Sequence, residues 1–95
     1  MLIFRDPHDS ATWIIQALEH DIAAFGNDVE QAKIAFERTV SAYLTRGTSL
    51  ASIRPAPNVF WEVWEHVASL TPAVERMPSI PAFMMPVVTY DPLPA

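Results

Sequence analysis

The chain opens with the apolar run Leu2-Ile3-Phe4, then Arg5, then the turn formers Asp6-Pro7-His8-Asp9-Ser10. Apolar residues return in Thr12-Trp13-Ile14-Ile15-Gln16-Ala17-Leu18. After Glu19-His20-Asp21 they return again as Ile22-Ala23-Ala24-Phe25, which stops at Gly26. Short apolar runs bounded by turn residues read as strands. The pattern predicts a three-stranded antiparallel meander over 2–5, 12–18 and 22–25, with a first connection longer than the two-residue hairpin. On the second strand Trp13, Ile15 and Ala17 share one face, while Ile14 and Leu18, split by Gln16, share the other. Neither face is cleanly polar, so both are expected to be covered.

Beyond Gly26 the period changes to that of a helix. Val29, Ala32, Phe36, Val40, Tyr43 and Leu44 form one apolar stripe, with Lys33, Glu37, Arg38, Ser41 and Thr45 beside or opposite it. Asn27 is the expected N-cap, Glu30 stands three residues later as in a capping box, and Gly47 is placed to end the helix. Ile34 falls on the polar side, which marks it as a contact candidate. Residues 50–53 are ambiguous. Pro55-Ala56-Pro57 is a stiff break, after which Asn58 can cap a second helix over 59–70. Its polar positions Glu62, Glu65, His66 and Ser69 are spaced i, i+3, i+4, i+7. Phe60, Trp61, Val63, Trp64, Val67 and Leu70 fill an arc wide enough to need more than one neighbour. Six of the nine prolines follow residue 70, so no long helix is expected there. Residues 83–90 look strand-like, with Pro86 restricting that strand to an edge or a bulge.

The organisation expected is therefore one α+β domain over 1–95. The sheet and main helix occupy 1–47, the second short helix 55–70, and a proline-rich extended tail with a late edge strand 71–95. Length agrees, since 95 residues hold one core. A hydrophobic fraction of 51% against 18% charged excludes disorder as the default state. A chain of this size buries only about 60–65% of its unfolded surface, so the apolar surplus points to a homo-oligomer or a protein partner. With no cysteine, disulfide scaffolds and thiolate metal sites are excluded. The net charge of -5 argues against a reader of nucleic-acid backbone and favours a basic partner. No apolar run approaches the roughly 20 residues of a membrane span, and the first residues lack the basic and long apolar regions of a signal peptide. A cytoplasmic location is expected.

The stretch Trp13-Ile14-Ile15-Gln16-Ala17-Leu18-Glu19-His20-Asp21-Ile22-Ala23-Ala24-Phe25-Gly26 resembles the second and third strands of the HicB-like antitoxin family, "W-x-A-Q-C-L-E-x-D-I-x-A-Q-G". Asn27-Asp28-Val29-Glu30-Gln31-Ala32 stands where that family has "D-T/S-L-x-E-A". Pro55-Ala56-Pro57-Asn58-Val59-Phe60-Trp61-Glu62-Val63-Trp64-Glu65 is similar to the "A-P-x-x-F/Y-W-x-M-W/Y-E" element of one subgroup. Two departures stand out: Ala17 replaces a cysteine, and Phe25 replaces a glutamine, leaving one more apolar side chain to cover. The resemblance implies a partial ribonuclease-H-like fold with a meander, a crossing helix and a fourth strand beside the first. It also implies binding to a small basic HicA-type ribonuclease toxin, whose active face the antitoxin covers. The ribbon-helix-helix or helix-turn-helix module of family members that repress their operon is not expected after Leu70, where prolines forbid its helices.

Several clusters of side chains are of types that could carry chemistry. Asp6, His8 and Asp9 offer carboxylate and imidazole ligands, but a solvated turn uses the same residues. Glu19, His20 and Asp21 could converge only if the turn bends them together, because strand neighbours point to opposite faces. A two-metal nuclease built on His20, Asp21 and Asp28 would need further carboxylates on the first or late strand, where none occurs. No nucleophile elbow, phosphate loop or metalloprotease helix motif is present. Phe60, Trp61 and Trp64 could stack bases, yet Glu62 and Glu65 on the same helix would repel phosphates. The expectation is a binding protein and not an enzyme, with no catalytic residue, metal, cofactor, direct nucleic-acid or membrane contact. The partner-interface candidates are Ile34, Trp61, Trp64, Glu62 and Glu65. An orphan oligomeric scaffold is the alternative, and a metal-dependent nuclease stands behind both.

Overall fold

The computed structural model describes residues 1–67, 73–74 and 86–90, which form an α+β arrangement of one sheet between two helices. The elements run β1 (Leu2–Asp6), β2 (Asp9–Gln16), β3 (Ala23–Gly26), α1 (Val29–Thr45), a 3-10 turn (Leu50–Ser52), α2 (Asn58–Val67), β4 (Ala73–Val74) and β5 (Pro86–Tyr90). The spatial strand order is β3-β2-β1-β5-β4. The first three strands are the expected meander, with β2 antiparallel to both β1 and β3. β5 lies parallel to β1, pairing Leu2 with Val88 and Phe4 with Tyr90, and antiparallel to β4.

Two expectations about strands are corrected. The β1–β2 connection is the two-residue Pro7-His8, closed by pairing of Asp6 with Asp9. The register then jumps from that pair to Arg5 with Trp13, so Ser10, Ala11 and Thr12 are taken up as an irregularity in β2. Carboxylates stabilise this corner. Asp6 Oδ1 accepts from His8 N at 2.8 Å, and Asp9 accepts from Ala11 N at 3.2 Å and Thr12 Oγ1 at 2.8 Å. The late strand is likewise not at the edge, because β5 has β1 on one side and β4 on the other. Pro86 is tolerated there as the strand's first residue, where its missing N–H costs no interior ladder bond. Residues 83–85, Ser69, Leu70 and the rest of the proline-rich tail lie outside the described residues.

The alternation read along β2 decides which helix meets which face. Ile3, Ile15, Ala17, Ile22, Ala24 and Val87 pack with Ala32, Phe36 and Val40 of α1. Leu2, Phe4 and Leu18 form the opposite cluster, joined by Ile14 and by Phe60, Trp61, Val63 and Trp64 of α2. The wide apolar arc of the second helix thus covers the second sheet face. Arg5 and Trp13, cross-strand partners, bring the guanidinium 5.5 Å from the ring centroid, within cation–π range.

The boundaries of α1 follow from its caps, one residue later than the sequence predicts at the start. Asp28, not Asn27, is the N-cap, its Oδ1 accepting from Gln31 N at 2.8 Å. Gln31, not Glu30, reaches back, accepting from Asn27 N at 3.2 Å. At the other end Gly47 adopts φ 75°, Gly47 N donates to Leu44 O and Thr48 N to Tyr43 O, both at 3.0 Å. This is a Schellman closure. Ala32, Phe36 and Val40 are fully buried and Val29 and Tyr43 half-buried, but Leu44 has turned out of the stripe and is exposed.

Met1 belongs to the α1-side cluster, and the loss of hydration there lowers the pKa of its amino group to about 6, with Glu19 opposing the shift. The unfolded amine keeps its ordinary value of 8.0. Between these values the unfolded chain binds a proton that the folded chain does not, so stability is full above pH 8 and declines as pH falls toward 6. Discounted for residual solvent contact, the loss is about 2 kcal/mol. Urea midpoints of this chain and its N-acetylated form, compared from pH 8.5 to 5.5, should diverge over that window. Parallel curves would refute the assignment.

Candidate functional site

The residues singled out on the second helix do meet at one surface. Trp61 and Trp64 are half-buried, their inner parts packed on the Leu2, Phe4, Leu18 cluster, while Glu62 and Glu65 point outward with His66. Phe60 turns inward, with its ring centroid 6.2 Å from that of Phe4. The two tryptophans therefore serve the core and the surface together, a consequence of placing four large apolar residues on three turns of one helix. Ile34 is not part of this surface. It is 50% exposed on the outer side of α1, across the sheet from α2, over a shallow depression lined also by Glu37, Arg38, Ser41, Thr45 and Arg46.

The acidic clusters are engaged in local structure. Asp6 and Asp9 accept the turn hydrogen bonds described above. His20 and Asp21 lie in the β2–β3 connection, which is stitched to the segment before α2. Asp21 N donates to Arg54 O at 2.7 Å, Ala56 N donates to Leu18 O at 2.9 Å, and His20 Nδ1 lies 3.3 Å from Ile53 O. Buried Gln16 organises the same connection, its Nε2 donating to Ala17 O at 2.8 Å and Asp21 Oδ1 at 3.1 Å. Asp28 caps α1 at the other end of β3 from Asp21, so the structure holds those two carboxylates apart. Among the described residues, no group of three or more metal-ligating side chains converges.

One surface residue was undervalued by sequence reasoning. Phe25 is 71% exposed on β3, cross-strand to half-buried Ile14, on the sheet face that α2 covers only toward β1. Its signal was available as an apolar side chain where the resembling family has glutamine. Val59, at the start of α2, is also exposed. Glu30 is exposed and 3.5 Å from Lys33, a pair worth little in water. Among the described residues, no helix is long and apolar enough to cross a membrane. No protein-family model matches the chain, and neither the curated proteins nor the solved structures contain a significant match to it.

Proposed function

We propose that this chain is an antitoxin-like binding protein of the HicB type, which neutralises a small basic HicA-type ribonuclease by covering its active surface. The observation that carries the reading is topological. A three-stranded meander is crossed by α1, and a later strand, β5, lies beside the first, an arrangement like the one the sequence resemblance implies. The charge supports it, since a chain of net charge -5 that exposes Glu30, Glu62 and Glu65 complements a basic partner. The partly exposed tryptophans of α2 supply the residue type most often found at energetic hot spots. The protein acts by stoichiometric binding, performs no chemistry itself and works in the cytoplasm. A second reading, an orphan oligomeric scaffold, draws on the exposed Ile34 and Leu44 of α1, which a second copy would cover.

The test is co-purification with the product of a neighbouring reading frame encoding a short basic protein, followed by RNA-cleavage assays. A one-to-one complex in which cleavage is abolished is expected. The double variant Glu62→Lys with Glu65→Lys should fold normally but associate about tenfold more slowly, with a weaker salt dependence, because rim charges act on the on-rate. A basic ribonuclease that cleaves unhindered in excess of this protein would defeat the antitoxin reading. Manganese-dependent, EDTA-sensitive cleavage by the protein alone would replace it with the nuclease. A stable homo-oligomer with no affinity for the basic protein would replace it with the scaffold.

A further inference from the structure

β3 is the outermost strand of the sheet, and among the described residues no strand pairs with its outer side. Exposed edges are ordinarily blunted by lysine, proline or a bulge. Ala23-Ala24-Phe25-Gly26 has none of these, and its pairing with β2 is regular from Trp13 with Gly26 to Gln16 with Ala23. Across the face shared with α2, the row Phe4, Ile14, Phe25 passes from buried through half-buried to exposed. An apolar side chain set beside Phe25 would extend that row by one strand.

The surrounding charge says what would bring it. Residues 6–32 contain six of the eleven carboxylates, Asp6, Asp9, Glu19, Asp21, Asp28 and Glu30, and none of the six lysines and arginines. Asp21 and Asp28 stand at the two ends of β3, and the donors they accept from, Gln16 Nε2 and Gln31 N, are neutral. We propose that β3 is a docking edge for an extended, basic segment of a protein partner. The segment joins the sheet as a further strand, seats an apolar side chain against Phe25 and Ile14, and directs lysine or arginine toward Asp21 and Asp28. Backbone pairing supplies affinity in such strand addition, and side-chain pockets and charge supply selectivity. A second copy is the poorer occupant. Antiparallel pairing with Phe25 opposite Phe25 keeps the two sheet faces continuous, but it brings Asp28 of each copy alongside Asp21 of the other. This inference deepens the binding reading by naming its surface, and rests on it only in taking the protein to act by binding.

The experiment uses the full chain, isotope-labelled for amide NMR, and two capped five-residue peptides. One has alternating threonine and valine between terminal lysines, and the other has glutamates in place of the lysines. The lysine peptide should shift the amides of Ala23, Ala24, Phe25 and Gly26 saturably, bind about tenfold more tightly than the glutamate peptide, and weaken as salt is raised. Phe25→Ser, at an exposed position, should leave the rest of the spectrum native and weaken binding about fivefold or more. Shifts confined to α2, no shifts at β3, or equal binding of both peptides would overturn the proposal. So would a Phe25→Ser protein that binds the peptide undiminished while losing self-association, which would give the edge to a second copy. Peptide binding at β3 without neutralisation of any basic ribonuclease would sink the antitoxin reading and leave this one standing. Neutralisation unaffected by Phe25→Ser would do the reverse.

Discussion

Replacing Phe36 by alanine is expected to lower the stability of the fold by about 3–5 kcal/mol, out of a total of about 5–15 kcal/mol. Phe36 is fully buried at the centre of the α1-side cluster, among Ile3, Ile15, Val40 and Val87 from three strands and its own helix. Truncation removes the apolar transfer term for the ring and leaves a cavity. The wall cannot readily collapse, because β1 in the middle of the sheet carries Ile3 and is held on both sides by ladders. The urea midpoint should fall sharply with little change in slope. A midpoint equal to that of the parent would mean that the stripe of α1 does not form the core. Ile34→Ala supplies the contrast, because Ile34 is half exposed and its loss should stay within about 0.5 kcal/mol.

The stripe containing Phe36 was legible because a helix of 17 residues repeats its period often enough for the buried face to be read directly. Leu44 escaped that reading. It lies in the last turn, where the Schellman closure through Gly47 directs the chain away and leaves the side chain in water. The two-sided apolar character of β2 was equally legible, and with it the need for a cover on both faces. Which element would provide the second cover was not, since a wide apolar arc on α2 fits a neighbouring copy as well as the sheet of its own chain. Local hydrogen bonds explain the smaller misses. Asn27 and Asp28 are both good caps, and the choice of Asp28 follows from where β3 releases the chain. The run Asp6 to Ser10 is uniformly turn-forming, so only pairing of Asp6 with Asp9 locates the corner at Pro7-His8. β5 could not be placed inside the sheet from Pro86 alone, because a proline at a strand's first position and one at an edge look the same in sequence.

The candidate surface divides in the same way. Trp61, Trp64, Glu62 and Glu65 were found together because one helix carries them at helical spacing. Ile34 is a candidate for a different reason, as an apolar residue on the polar side of α1, and the sheet separates it from them. Phe25 depends on strand order, which tertiary pairing decides and hydropathy does not. β3 becomes an edge only because β5 inserts beside β1 on the far side of the meander.

The second large effect is expected at Gly26, and its sign follows from competing terms. Glycine-to-alanine changes commonly stabilise by about 0.4–1 kcal/mol through the unfolded chain where the native conformation accepts a side chain. Gly26 does not have a positive φ, so backbone conformation alone would allow that gain. Space does not. A Cβ there would lie 2.5 Å from Ala32 N, 2.7 Å from Gln31 C and 2.8 Å from Gln31 Cβ. Two of these are backbone atoms in the first turn of α1, fixed by the Asp28 cap and by burial of Ala32, so relief requires moving the helix off β3. Such forced displacement costs about 3 kcal/mol or more, well above the entropic gain. Gly47→Ala separates the two roles of glycine. Nothing lies within 4 Å of its Cβ position, and its φ of 75° limits the penalty to about 1–2 kcal/mol of left-handed strain. Chemical denaturation should therefore rank Gly26→Ala below Gly47→Ala. Amide exchange in the Gly26→Ala protein should accelerate first at Ala23 to Phe25, where β3 is held by β2 on one side and α1 above. Unchanged protection there, with an unchanged midpoint, would show that α1 and β3 do not approach as closely as these contacts require.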